Sequence, residues 1–230
     1  MSARTRWLAF AAFFVAALVL SMPMRVALDW FGLDRTGLSA RDATGTVWSG
    51  RIEEAALGPV PIGDVKAALA VMPLFIGHAR IAMSRTDPDP VTATVDVSYR
   101  GFAIRRATGR FAAGRLLAPA PVASIDLTEV SAAFVNGRCV AASGQAGATL
   151  AGPLAAALPA LSGQVSCENE WVLIPLAGGG GRIDLRIAVD GRYRIDMQVA
   201  AVNEAVATAL QAGGFRPVPG GYAIHRAGAF

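Results

Sequence analysis

The sequence predicts a mainly β fold. An N-terminal transmembrane helix leads into a curved, elongated antiparallel β-sheet, a meander, with one or two short helices. Three observations carry this. Apolar and polar residues alternate with period two in segment after segment. Short glycine-rich turns separate those segments, without the long helical stretches of βαβ units. From Trp7 to Met24 there is not one charged residue.

That first block reads "RTRWLAFAAFFVAALVLSMPMR". At the α-helical rise the run Trp7–Met24 extends roughly 27 Å, enough to span a hydrocarbon core. Signal-peptide cleavage needs small residues at the cut. Pro23 and Arg25 occupy the critical positions, so an uncleaved anchor is expected. Trp30 and Phe31 follow where an interfacial aromatic belt would lie. Arg4 and Arg6 precede the run and favour a cytoplasmic N-terminus. The expected organisation is a cytoplasmic start (1–6), a transmembrane anchor (7–24), a juxtamembrane linker (25–42) and an extracytoplasmic β-rich domain (43–230).

The first sheet segment contains "GTVWSGR". Gly45 and Gly50 flank Trp48 in a strand expected over Thr46–Leu57. Glycines permit a bend or a close backbone approach, and Trp48 is expected as a buried plug over it. The alternative is an exposed contact for a partner. "DVKAALAV" and "VTATVDVSYR" alternate cleanly. Val91, Ala93, Val95, Val97 and Tyr99 share an apolar face, and Thr92, Thr94, Asp96, Ser98 and Arg100 a wet one. "RTDPDP", Arg85–Pro90, is a turn whose prolines cannot continue a central strand. Further strands are expected at Ala79–Arg85, Phe102–Phe111, Ala123–Val135, Val140–Gly147, Ser162–Cys167, Trp171–Leu176 and Tyr222–Arg226.

The clearest hairpin is "RIDLRIAVDGRYRIDMQV". A two-residue Asp190-Gly191 loop would set apolar residues opposite polar ones. A three-residue loop restores matched faces, in either of two registers. Val189-Asp190-Gly191 puts glycine where a left-handed residue is needed, and Asp190-Gly191-Arg192 sets Arg186 opposite Asp196. Two helices are expected: a short one at Gly152–Leu161, and one in "NEAVATALQAGG" capped by Asn203 and stopped by Gly213.

The two cysteines, Cys139 and Cys167, are expected to pair, because the inferred extracytoplasmic compartment is oxidising. Twenty of the 21 basic residues are arginine, scattered along the strands. Nucleic-acid binding needs a basic stripe with a groove-entering element, and none is present. His78 and His225 lack neighbours at metal-ligand spacing. Gly178–Gly181 precedes a strand, whereas a phosphate cradle needs a helix N-terminus. Glu53-Glu54 and the Glu168/Glu170 pair read as solvated strand carboxylates. No catalytic, cofactor or metal site is expected, and the chain reads as a non-enzyme.

The order of these features resembles the type II secretion system protein N family. The resemblance rests on the anchor, "GTVWSGR", "LGPVPIGDVKAAL", "MPLFIGHARIAM", "VDGRYRIDMQV" and the closing "GFRPVPGGYAIHRAG". It implies a single-pass bacterial inner-membrane protein with the bulk of the chain in the periplasm. Its expected role is an accessory structural one, contacting other secretion components of the inner-membrane platform and periplasm. The alternative is a membrane-anchored lipid-binding or lipid-transfer protein of the AsmA-like or lipopolysaccharide-bridge type. A continuous open apolar groove would favour that alternative, and an apolar face covered by helices would favour protein contacts.

Overall fold

The computed structural model describes residues 3–26, 38–57, 60–112, 121–152, 155, 160–200 and 204–229. Sixteen strands form one antiparallel sheet. They are β1 (Leu38–Ser39), β2 (Asp42–Thr46), β3 (Ser49–Leu57), β4 (Val60–Ala70), β5 (His78–Arg85), β6 (Val91–Ser98), β7 (Gly101–Ala112) and β8 (Val122–Val135). They continue as β9 (Arg138–Leu150), β10 (Leu161–Gln164), β11 (Ser166–Glu168), β12 (Trp171–Gly178), β13 (Gly181–Ala188), β14 (Arg192–Ala200), β15 (Arg216–Val218) and β16 (Gly221–Ala229). The order is β1-β3-β4-β5-β6-β7-β8-β9-β10-β12-β13-β14-β16-β15, with β2 also on β3 and β11 also on β12. Nearly every neighbour in space is a neighbour in sequence, as expected of a meander.

Helix α1 spans Ala3–Leu20. It has 18 residues but ends four residues before the end of the transmembrane segment expected over 7–24. Among the described residues no helix is long and apolar enough to cross a membrane. The reason lies at its C-terminal end. Ser21 folds its hydroxyl back onto the Ala17 carbonyl (2.7 Å), and Pro23 cannot continue a helical ladder. The chain from Met22 to Met24 joins the sheet instead. Pro23 bridges to Thr46, and Val47 N–H donates to the Met22 carbonyl (3.2 Å). The uncharged part of α1, Trp7–Leu20, is therefore roughly 21 Å long, against about 30 Å for a hydrocarbon core.

Two apolar clusters lie on the sheet. The larger draws on β7 to β16 and includes Leu161, Leu176, Ile183, Ile195 and Met197, all 2% exposed or less. Helix α3 (Glu204–Ala212) covers part of it through Val206 and Leu210. The helix stops in a Schellman motif: Phe215 N–H reaches Leu210 O and Gly214 N–H reaches Gln211 O, both at 3.0 Å. Gly214, at φ +85°, supplies the left-handed residue, one position later than the Gly213 stop expected from sequence. Phe215 and Leu210 then pack in the core, the apolar contact this motif brings. The expected cap Asn203, and most of the expected helix at 152–161, lie outside the described residues. The smaller cluster is Met24, Ala43, Ile52, Ala55, Val65 and Ala67, where the α1 junction meets β2–β4.

The Val189-Asp190-Gly191 loop sets the β13–β14 register. Ile187 faces Tyr193, Leu185 faces Ile195 and Ile183 faces Met197. Gly191, at φ +83°, takes the left-handed position. Arg186 still reaches Asp196, diagonally, at 2.9 Å.

β-Bulges interrupt the long strands. Glu54, Arg106 and Glu129 have positive φ (48°, 46° and 50°), and register shifts flank each of them. A bulge removes a residue's N–H from the ladder, and a buried N–H needs a partner. In all three cases a side chain of the adjacent strand supplies it. Glu54 N–H donates to Asp64 Oδ1, Arg106 N–H to Ser131 Oγ and Glu129 N–H to Thr108 Oγ1, each at 3.0 Å. Gly144 continues the row into β9, where a Cβ would lie 2.6 Å from the Glu129 carbonyl oxygen. Bulges bend and twist the strands that carry them. They also switch the inward parity, from Phe102 and Ile104 to Ala107 in β7.

Candidate functional site

The marked residues of "GTVWSGR" fall in the β2–β3 hairpin, at the junction with α1. Thr46 faces Ser49, so Val47 and Trp48 are the turn, not part of a strand. Trp48 is half-buried there, in a turn rather than inside the strand expected over Thr46–Leu57. A two-residue turn has no sheet face of its own to bury a side chain against. Gly45 and Gly50 face each other across the hairpin. Gly45 is at φ +84°, and a Cβ on it would stand 2.6 Å from Ser49 O. A Cβ on Gly50 would collide with the Met24 thioether. The two glycines thus serve the junction: one takes a left-handed conformation in β2 close against Ser49, and the other makes room for Met24. An exposed ion pair, Arg25–Asp42 at 3.4 Å, lies beside them.

Cys139 and Cys167 are joined by a disulfide with Cα atoms 5.5 Å apart. It links β9 to β11, far along the sheet from the Trp48 hairpin. β10 pairs with β9 through four residues only, Leu161 to Gln164. Beyond them Val165 N–H donates to Gly144 O (3.0 Å) and Cys139 N–H to Asn169 O (3.1 Å). The bridge lies between these two bonds and closes a stretch where the β9–β11 ladder is interrupted.

The polar face carries charge networks that strand periodicity did not reveal. Asp96 was expected on the wet face, yet it is only 8% exposed. Arg80 donates from Nε (2.7 Å) and Nη2 (3.2 Å) to its two oxygens. Arg105 on β7 donates to Oδ2 from the other side. The arginine stems cover what the heads neutralise. The other half of that expectation also changes: Val97 at the end of β6 and Tyr99 in the turn after it are exposed.

The hydrogen bond from Arg80, reinforced by Arg105, holds the Asp96 carboxyl below its usual range, although burial pushes the other way. A depressed pKa contributes stability that is present above the unfolded value, about 3.9 for Asp. That stability is lost as pH falls through the folded value. Asp96→Asn is expected to cost about 1 to 3 kcal/mol at neutral pH, since the charge that Arg80 and Arg105 both pair with is removed. The cost stays below that of breaking a fully buried pair because Arg80 and Arg105 are each about half exposed and rehydrate. Urea titrations at a series of pH values test this. The gap between the two proteins should close on acidification, and a gap independent of pH would contradict the assignment.

A second network crosses β11, β13, β14 and β16. Arg186 donates to Glu168 (2.6 Å) and Asp196 (2.9 Å), and Asp196 also pairs with His225. Trp171 is nearly buried on this polar face. The guanidinium groups of Arg192 and Arg194 lie 5.1 and 4.8 Å from its ring centroid. Such cation–π contacts let an aromatic ring be buried outside the apolar core. The sequence showed scattered arginines, and the use of Arg192 and Arg194 depends on a tryptophan two strands earlier in sequence.

No group of three or more potential metal ligands occurs among the described residues. An open groove of about 560 Å³ crosses β3–β8, lined by Lys66, Ala82, Ser84, Thr92, Arg106 and Glu129 among others. A second, of about 410 Å³, lies at β14–β16 and includes Asp196, Arg216, His225 and Arg226. Both linings mix charge with small residues, whereas acyl-chain carriage needs a continuous apolar wall. The lipid-transfer expectation therefore finds no support in them.

The sheet edges are partly covered. At one end the three-residue strand β15, with Pro217 in it, pairs with Gly221–Ala223 of β16, and among the described residues no strand pairs with the outer side of Ile224–Ala229. At the other, the Met22–Met24 segment docks on the turn end of β2.

No curated protein and no solved structure matches the chain. A family model does, over residues 36–225, which takes in the sheet from β1 into β16. By that match the chain belongs to the family described as type II secretion system (T2SS), protein N.

Proposed function

We propose that this chain is an accessory structural component of the type II secretion apparatus, held at the bacterial inner membrane by α1 with its β-sheet in the periplasm. Family membership over 36–225 is the observation that carries the reading. The charged polar face, with its arginine–carboxylate networks, suits contacts with protein partners of the inner-membrane platform and periplasm. The protein acts by binding and positioning, and no catalytic step is assigned to it.

The surface of α1 supports the membrane part. Trp7, Phe10, Phe13, Phe14, Leu18 and Leu20 are all more than half exposed, and every residue from Trp7 to Leu20 is apolar, whichever side of the helix it falls on. A helix apolar all round needs an apolar surrounding. Its apolar length falls short of a full hydrocarbon core, and bilayers accommodate such a shortfall by local thinning at modest cost. The proposed arrangement keeps residues 1–6 cytoplasmic, 7–20 with the membrane, Met22–Met24 docked on the sheet and 43–230 periplasmic.

Two measurements test the reading. The tagged full chain, solubilised from envelopes, should co-purify with other secretion components, and their absence would overturn the assembly role. Carbonate washing should leave the full chain in the membrane pellet and release a chain lacking residues 3–20. Release of both would remove the anchor.

A further inference from the structure

The β4–β5 connection is an apolar tip with no core beneath it. It comprises a one-turn helix, α2 (Val71–Leu74), followed by Phe75, Ile76 and Gly77. No residue of α2 is buried. Met72 and Phe75 are each 81% exposed and Ile76 is 75% exposed. The β6–β7 turn beside it adds Tyr99 at 84%. A contiguous exposed group of large apolar side chains marks an interaction surface.

The tip is built to hold these side chains outward. Its own turn satisfies its backbone: Phe75 N–H donates to Met72 O, Ile76 N–H to Pro73 O and Gly77 N–H to Leu74 O, at 3.1 to 3.3 Å. Gly77, at φ +75°, reverses the chain into β5. The exposure thus belongs to a hydrogen-bonded turn.

The position of the tip identifies what covers it. It lies at the end of the sheet where α1 joins. Met22, two residues past α1, accepts from Val47 N–H, and Val47 O accepts from Leu69 N–H at 3.0 Å. Val71 begins the tip two residues after Leu69. The β5–β6 register, His78 opposite Ser98, brings Tyr99 and Arg100 to the same end. The charge fits as well. Residues 71–79 and 97–103 contain no acidic side chain, while Arg100 stacks its guanidinium 4.9 Å from the Tyr99 ring centroid. Aromatic and aliphatic side chains with a basic neighbour are the composition of interfacial membrane contacts.

We propose that the Val71–Ile76 turn, with Tyr99, is a second membrane contact that dips into the interface of the bilayer holding α1. This rests on the membrane association argued above. It gives the sheet two points of attachment, α1 and the tip, and so fixes its tilt relative to the bilayer. A single helix joined at one hairpin does not.

The test uses the full chain reconstituted in phosphatidylethanolamine–phosphatidylglycerol vesicles. One variant, Phe75→Cys, carries an environment-sensitive fluorophore at the tip. A second, Thr86→Cys, carries it in the β5–β6 turn at the opposite end of the same strands. The native cysteines are paired and do not react. Flotation is measured first. Brominated lipid and aqueous iodide then act as the two quenchers. The proposal expects the vesicles to carry the protein, with several-fold stronger bromolipid quenching and weaker iodide quenching at 75 than at 86. Equal, aqueous behaviour at both positions in floated protein overturns the tip and leaves the α1 anchor standing. Shielding from iodide without bromolipid quenching means that protein covers the tip, and this too overturns the proposal. Failure to float overturns both readings.

Discussion

Reducing the Cys139–Cys167 bridge, or replacing both cysteines by alanine, is expected to lower unfolding stability by roughly 3 to 4 kcal/mol. The magnitude follows from the chain-entropy model for a sequence separation of 28 residues. Position argues that the full effect will be felt. The bridge joins β9 to β11 where the sheet is thinnest: β10 contributes four residues and β11 three, against thirteen in β9 and eight in β12. Among the described residues, two backbone bonds, Val165–Gly144 and Cys139–Asn169, cross the gap that the bridge closes. Denaturant titration with and without reductant measures the loss. A loss well under 1 kcal/mol would show that β9 and β11 are held without the bridge. A second expectation follows: loosening at this joint should expose β9–β12 amides to hydrogen exchange before those of β13, β14 and β16.

The sheet was legible in the sequence because strands of this kind announce themselves by period two. Alternation placed β4 to β9, β12 to β14 and β16 close to where they lie, and the turn chemistry of Asp190-Gly191 limited the hairpin to two three-residue registers. The bulges were not legible. They demand positive φ at Glu54, Arg106 and Glu129, residue types that carry no turn signal. They are stabilised by Asp64, Ser131 and Thr108, which become partners only once the strands are paired. The same limit hid the charged networks. Asp96 reads as a solvated residue in "VTATVDVSYR", and its burial depends on one arginine from each flanking strand. Trp48 misled for a related reason. A tryptophan between β-branched and small residues suggests a strand interior, but two glycines five apart around a tight hairpin placed it in the turn. The end of α1 was set by tertiary contacts as well, since Met22–Met24 pair with the hairpin rather than extend the helix.

Leu161→Ala tests the joint from its apolar side and is expected to cost about 2 to 5 kcal/mol, the range for removing a leucine from a packed core. Leu161 is 0% exposed and sits on the short strand β10 opposite Ala148. The residues beside it are small: Ala148 opposite it on β9, Ala146 two residues before that, and Gly178 at the end of β12, which approaches the Leu161 side chain. Alanine and glycine cannot swing into a vacated volume, so the cavity should persist and the cost lie in the upper half of the range. β10 is also held by backbone fit. At Gly163 a Cβ would overlap the Pro175 carbonyl oxygen of β12, so the two strands approach more closely there than a side chain permits. Leu161 and the disulfide therefore act on one element from opposite ends, and their losses should couple rather than add. Once the bridge is gone and β11 has loosened, part of the packing around Leu161 is already lost. The alanine substitution should then cost less in the reduced protein than in the oxidised one. A double-mutant cycle from denaturant titrations reads this directly. Strict additivity would mean that β10 and β11 are separate supports, and the sheet would then have two independent joints between β9 and β12 where the structure places one.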